Sequence, residues 1–260
     1  MKKILTIALL LIAINAQGQG LPVAANATLA SLFPDENLRR VVAEHLGPNA
    51  GLVGQRLSDE LAGIIELDAS NPFLARTRGL ETRIIHNANG VEYLLNLVKL
   101  NLDNNRLLNI DVSNNISLTS LSVDNNLLTN LDVSSNIYLT GLFVGRNRLI
   151  SIDVSKLINL TSLFVASNRL TSLDVSSNIS LTSLLVDSNP LTNLDVSSNI
   201  NLITLSVLGT NLTSLDISKN IKLEQLDTDL WNIIGNRPIL PEGSHGNYPD
   251  GWDEQDTLYR

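Results

Sequence analysis

From Leu97 onward the apolar residues fall into a fixed rhythm. A 21-residue unit begins at Leu97, Leu118, Leu139, Leu160, Leu181 and Leu202, and fades in a seventh copy at Leu223. The clearest copy runs from Leu160 to Ser180, LTSLFVASNRLTSLDVSSNIS. It is itself double, with ten residues followed by eleven, both reading L-x-x-L-x-V-x-x-N. Within Leu163-Phe164-Val165 a variable position sits between two apolar ones, the period of a β-strand. Two such triplets per unit predict coils with short strand-like segments on opposite sides. Leu160, Leu163, Val165, Leu170, Leu173 and Val175 then point inward. One coil cannot cover its own interior, so successive coils must stack, about 4.8 Å apart at a parallel-sheet spacing.

This unit resembles the leucine-rich repeat, in the nested 21-residue class sometimes called IRREKO repeats, over about residues 97–222. The resemblance implies a leucine-rich-repeat solenoid: a right-handed superhelix with a parallel β-sheet on its concave face, β-rich coils and a small α-helical N-terminal cap. A solenoid exposes apolar ends and needs such caps. Residues 33–46 read as an amphipathic helix. Asp35 stands at its start, Leu38, Val41, Val42 and Leu46 form one face, and Gly47-Pro48 stops it. A second short helix is expected from Ser58, then a strand from Ile64 to Ala69. FPDENLRRVVAEHL, LSDELAGIIELDAS and NGVEYLLNLVKLNL look like the internalin-like capping region of secreted bacterial relatives. There an acidic, EF-hand-like loop often joins the helices. Here the loop is Gly47 to Arg56, GPNAGLVGQR, without a carboxylate, so no calcium site carries over.

Three columns run through the array. Asn105, Asn126, Asn147, Asn168 and Asn189 form the first, broken by Thr210. Asn115, Asn136, Asn178, Asn199 and Asn220 form the second, broken by Leu157. Both follow a strand-like triplet, where buried backbone groups need partners, and Asn offers donor and acceptor together. The third column is Asp111, Asp132, Asp153, Asp174, Asp195 and Asp216, with Ser113, Ser134, Ser155, Ser176, Ser197 and Ser218 two residues on. Stacked carboxylates repel, so Ser hydroxyls, backbone N–H groups, solvent or cations must offset them. The structural reading is preferred to a calcium ladder, because calcium wants six to eight oxygens.

The N-terminus adds a destination. Met1-Lys2-Lys3 precedes an apolar run from Ile4 to Ile14, too short to span a bilayer. This reads as a signal peptide over 1–18, cleaved after Gly18, or alternatively after Ala16. The expected organisation is 1–18 signal peptide, 19–96 cap and degenerate first coil, 97–222 six repeats, and 223–260 C-terminal cap and tail. The closing cap is expected over Leu226–Ile239, before an acidic cluster of Asp250, Asp253, Glu254 and Asp256 read as a solvated terminus. Export, to the periplasm, cell surface or medium, follows from the leader. There is no cysteine, so neither a lipid-anchoring Cys nor a disulfide is possible. The formal charge of −8 argues against nucleic acid and anionic lipid as partners. Residues are 43 % hydrophobic but only 4 % aromatic, so the core must be uniform layers of Leu, Ile and Val.

No catalytic constellation stands out. His45, His86 and His245 are scattered, and no phosphate-binding loop, nucleophile elbow or zinc-type spacing occurs. No enzyme, cofactor or metal is expected. The informative residues are those that break the repeat. At the outward centre of the first triplet the chain reads Asn101, Ser122, Phe143, Phe164, Leu185 and Ser206. Phe143, Phe164 and Leu185, extended by Leu208, make an apolar patch on a face that should meet water. Arg146, Arg148 and Arg169 lie near the same strand ends, with Asp124 and Asp187 at the edges. Aromatics with Arg are the residue types of binding hot spots, so these nine residues form the candidate ligand site. Cross-strand stacking is the alternative. A monomer binding a protein ligand is the expectation; a glycan-binding or adhesion module and a purely structural spacer remain open.

Overall fold

A computed structural model of the chain describes residues 23–71, 84–230 and 233–235. Eight short parallel strands make one sheet: β1 (Glu66–Asp68), β2 (Lys99–Asn101), β3 (Ser120–Ser122), β4 (Gly141–Phe143), β5 (Ser162–Phe164), β6 (Ser183–Leu185), β7 (Thr204–Ser206) and, beyond β8 (Leu215–Asp216), β9 (Gln225–Asp227). The strands β2 to β7, and β9, fall at the first triplet of a unit. The register is unbroken, with Leu100, Leu121, Leu142, Leu163, Leu184 and Leu205 in line on adjoining rungs, all of them buried. The chain is a solenoid, and its core is the stacked Leu and Val expected from the period.

The first Asn column holds the turn after each strand from β2 to β6. Asn168 Nδ2 donates to Val144 O of the preceding coil at 2.9 Å and to Val165 O of its own at 3.0 Å. Its Oδ1 accepts from Leu149 N at 2.9 Å. Both ends of the amide are therefore used inside a buried turn. The residue before each Asn is left-handed: φ is 60° at Asn104, 53° at Asn125, 50° at Arg146, 57° at Ser167 and 53° at Ser188. Asn suits that conformation better than Arg, so Arg146 occupies a strained place.

The second triplet departs from expectation. It is buried but forms sheet only at the C-terminal end, where β8 pairs with β10 (Ile233–Ile234). The cause is local. The N–H of Asn115 turns back to Val112 O at 3.0 Å and that of Leu118 to Asn115 O at 3.1 Å. These carbonyls are capped by tight turns, and the inter-coil link passes to a side chain. Asn136 Nδ2 donates to Val112 O and Asn115 O, each at 2.9 Å. The second column thus replaces a backbone ladder. Its Oδ1 atoms at Asn115, Asn136, Asn178, Asn199 and Asn220 are buried without a protein donor, unlike those of the first column. The Asp column lies on this side, exposed, and each carboxylate accepts the N–H of the Ser two residues on. The Asp174–Ser176 bond is 2.9 Å. These bonds to Ser hold the carboxyls of Asp132, Asp153, Asp174, Asp195 and Asp216 below their ordinary range.

The N-terminal end is helical: α1 (Leu29–Leu32), α2 (Glu36–Leu46), a 3-10 turn, and α3 (Gly54–Leu61). The reading of 33–46 as one helix is corrected at its start, since Phe33 lies outside α2 as a fully buried residue between α1 and α2. Asp35 caps α2 as expected, its Oδ1 accepting from Asn37 N at 2.9 Å and Leu38 N at 3.2 Å. Its Oδ2 accepts from His86 N at 2.8 Å, tying the helix to the first coil. The second helix begins at Gly54, not Ser58, which is buried inside it. The left-handed Gly54 turns the chain into it. β1 falls within the expected 64–69 and pairs with β2. The leader, His245, the acidic tail and residues 231–232 and 236–239 of the expected closing cap lie outside the described residues. Among the described residues no helix is long and apolar enough to cross a membrane.

Candidate functional site

Alternation places Phe143, Phe164 and Leu185 at the outward ends of β4, β5 and β6, where each is half-buried. The two phenyl rings meet edge to face, with centroids 5.0 Å apart and planes at 85°, a favoured aromatic geometry. Beside them the sheet sinks into a hollow of about 560 Å³. Phe143 and Phe164 form its apolar wall; strands β1 to β3 supply Glu66, Asp68, Lys99, Asn101, Ser120 and Ser122, and the segments after β2 and β3 supply Asp103 and Asp124.

Its carboxylates are held by neighbouring coils. Asp103 Oδ1 accepts from Ser122 Oγ and from Asp124 N, both at 2.7 Å. Asp124 Oδ1 in turn accepts from Gly145 N. Burial raises the Asp103 carboxyl above its ordinary value, with Asp68 adding to the rise; the bonds from Ser122 and Asp124 oppose it. Burial raises Asp124 likewise, and Asp103 adds to it, against the Gly145 N–H and Arg146. Among the described residues the only cation in the lining, Lys99, is 2.8 Å from Glu66. The hollow is therefore a negative recess with an aromatic edge. Among the described residues no three His, Cys, Asp or Glu gather as a metal set.

The nine residues singled out from sequence are only partly brought together. Phe143, Phe164 and Asp124 line the hollow, while Leu185, Leu208, Asp187 and the three arginines do not. Leu185 continues the Phe column, pairing with Phe164. Asp187 reaches the next coil, accepting from Ser206 Oγ and, at 2.9 Å, from Leu208 N. Arg146, Arg148 and Arg169 are exposed. Ser206 continues the outward column but is buried. Glu66, Asp68 and Lys99, on the polar side of the hollow, stand outside the nine because they precede or begin the regular array. Pairing β1 with β2 brings them in, and the repeat alone does not announce that.

No family model and no curated protein matches the chain. Solved structures do. The functional domain of InlJ from Listeria monocytogenes, described as including a cysteine ladder, shares 32 % identity at a TM-score of 0.61, over 80 % of this chain and 49 % of that one. Internalin C2 of Listeria monocytogenes shares 20 % identity at 0.57, over 81 % of this chain and 99 % of that one. A leucine-rich-repeat protein of Leptospira interrogans shares 21 % at 0.56, over 69 % and 53 %. The last two show likeness of fold. The chain spans about half the length of the InlJ domain. It contains no cysteine, and its buried ladders are of asparagine.

Proposed function

This chain is a bacterial leucine-rich-repeat protein of internalin-like build, and from that premise we propose that it is an exported, non-enzymatic recognition module. It binds a protein ligand through the concave face of its solenoid. The observation that supports this is the Phe143–Phe164 pair at the edge of a recess. At the matching position the coils on the N-terminal side carry Asn101 and Ser122. Nothing in the stacking of coils requires two phenyl rings there, and an apolar wall facing water carries an aggregation liability that a partner's contact removes. Aromatic residues at the centre of a rimmed patch are the usual anchors of protein interfaces.

The test is capture from a panel of purified extracellular protein domains, alongside a glycan array, with F143S/F164S/L185S as control. Capture of a protein that the triple variant abolishes, with an unchanged circular dichroism spectrum, is the expected result. Capture that ignores the three substitutions overturns the concave-face assignment. Phe-dependent binding on the glycan array alone overturns the protein ligand in favour of a glycan. Collapse of the spectrum shows that the Phe column serves the fold.

A further inference from the structure

Resting on that concave-face reading, we propose that the hollow is a socket for one cationic side chain of the ligand, a lysine or an arginine, and that Gly141 gives the socket its shape. The shape comes first. At the start of the strand the neighbouring coils carry Ser120, Ser162 and Ser183, and only β4 carries glycine there. A Cβ built on Gly141 falls 2.9 Å from Cε2 and 3.3 Å from Cζ of Phe143. The ring therefore lies over its own strand, in the space a serine side chain takes in the adjoining rungs. From there it meets Phe164 edge to face. With serine at 141 the ring must lift, and the wall of the recess moves with it. The first Phe in the column and the glycine at the start of its strand thus stand two residues apart as one device.

The occupant follows from charge. Of the four carboxylates in the lining among the described residues, Glu66 is paired with Lys99, leaving Asp68, Asp103 and Asp124 with no cation among the described lining residues. Arg146 lies outside the lining, and its effect on Asp124 ranks below that of burial and of Asp103. Among the described residues both bonds to the Asp103 carboxylate fall on Oδ1. The half-buried Asp103 and Asp124, held together by successive coils with the exposed Asp68 beside them, favour a cation brought in by a partner. A lysine or arginine matches both halves of the recess: its methylene stem, or the guanidinium plane, lies on the phenyl wall while its charge meets the carboxylates.

The chain has only four phenylalanines, so ring resonances of Phe143 and Phe164 can be followed in ¹³C-Phe-labelled protein. The probes are the acetylated, amidated tripeptide Gly-Arg-Gly, its lysine analogue, and the citrulline analogue, which keeps the shape without the charge. The cationic peptides should shift both rings, with affinity falling on added salt. Citrulline, and the D103N/D124N variant, should each weaken binding about tenfold or more. G141S should move the two ring signals in the free protein and weaken the arginine peptide, with circular dichroism unchanged. Equal response to citrulline, still dependent on Phe143 and Phe164, overturns the cationic socket and spares concave-face recognition. Arginine binding that survives F143S/F164S overturns both. No shift with any peptide at millimolar concentration overturns the socket, as does G141S that leaves rings and affinity untouched.

Discussion

Two asparagines ten residues apart in one coil should differ sharply in what their loss costs. Asn168→Ala removes an amide that works at both ends. The N–H of Leu149 loses its acceptor, 2.9 Å away, and a buried orphaned donor costs about 1–3 kcal/mol. The carbonyls it served are less exposed to the change. Val144 O keeps Asn147 Nδ2 at 3.1 Å, Val165 O keeps Asn189 Nδ2 at 2.9 Å, and Ala166 O keeps Arg146 N at 2.8 Å. Losing second bonds to satisfied carbonyls adds about 1 kcal/mol, for a total near 3 kcal/mol. Asn178→Leu is different. The amide donates to Val154 O and Leu157 O, each at 2.9 Å. Both carbonyls keep turn bonds, from Leu157 N at 2.9 Å and Leu160 N at 3.0 Å. No donor is orphaned, and a buried Oδ1 without a protein partner is removed. The preceding coil already holds a fully buried Leu157 at this position. The expected change is within about 1 kcal/mol of zero. Urea unfolding followed by circular dichroism, with matched slopes, measures both. An Asn178→Leu loss as large as that of Asn168→Ala refutes the division of labour between the two columns.

Acid should act through the Asp column. The carboxyls of Asp132, Asp153, Asp174, Asp195 and Asp216 titrate below the reference value of 3.8 when folded. Their stabilisation is therefore present above that value and lost as pH falls through the folded ones. Asp103 and Asp124 are raised and act in the opposite sense, disfavouring the fold as pH rises through their folded values. D153N/D174N/D195N should flatten the acid limb of urea midpoint against pH, and an unchanged limb refutes this. At the cap, Gly90 has φ 108°, and a Cβ there falls 2.4 Å from Phe33 Cδ1 and 2.6 Å from Leu32 O. Gly90→Ala should cost about 3 kcal/mol and expose the helical end to limited proteolysis; a wild-type cleavage pattern counts against this docking.

The interior was legible because a solenoid repeats one problem. Once Leu142, Leu163 and Leu184 fall 21 residues apart, stacking follows, and with it a core that needs no further information. What escaped was the contest between turn and ladder. L-x-V reads alike in both halves of the unit, but the second has Asp at its centre and Ser directly after it, and the Asp side chain accepts from the N–H two residues on. That bond and the turn at Asn use backbone groups a strand would have given to its neighbour. Boundaries slipped where a conformation was hidden from pattern, as at Gly54, whose left-handed φ starts a helix expected from Ser58. The polar half of the hollow escaped for a third reason, since β1 is separated from β2 by a long excursion that no period bridges.

The coil from Leu139 to Asn159 shows how such an array acquires a site without disturbing its fold. Its inward residues, Leu142, Val144, Asn147 and Leu149, match those of the coils on either side, at Leu121, Val123, Asn126 and Leu128 and at Leu163, Val165, Asn168 and Leu170, and are all buried. Its outward residues differ together. Gly141 clears space for the Phe143 ring. Gly145 stands where the two preceding coils place Asp103 and Asp124. A Cβ there would fall 3.2 Å from both Asp124 Oδ1 and Ala166 O, so glycine eases the approach of its N–H to the Asp124 carboxylate. Leu157 in the same coil is a separate departure that nothing on the concave face explains. Two glycines and a phenylalanine in five residues would be a poor strand in isolation, since glycine weakens strands and leaves nothing to pack. They are tolerated because β4 is clamped on both sides, by β3 and β5, and because the rungs above and below carry the stacking energy. A coil at either end, supported on one side only, would not accept the same three substitutions at the same cost. The aromatic wall therefore belongs in the interior of the array, where it is found.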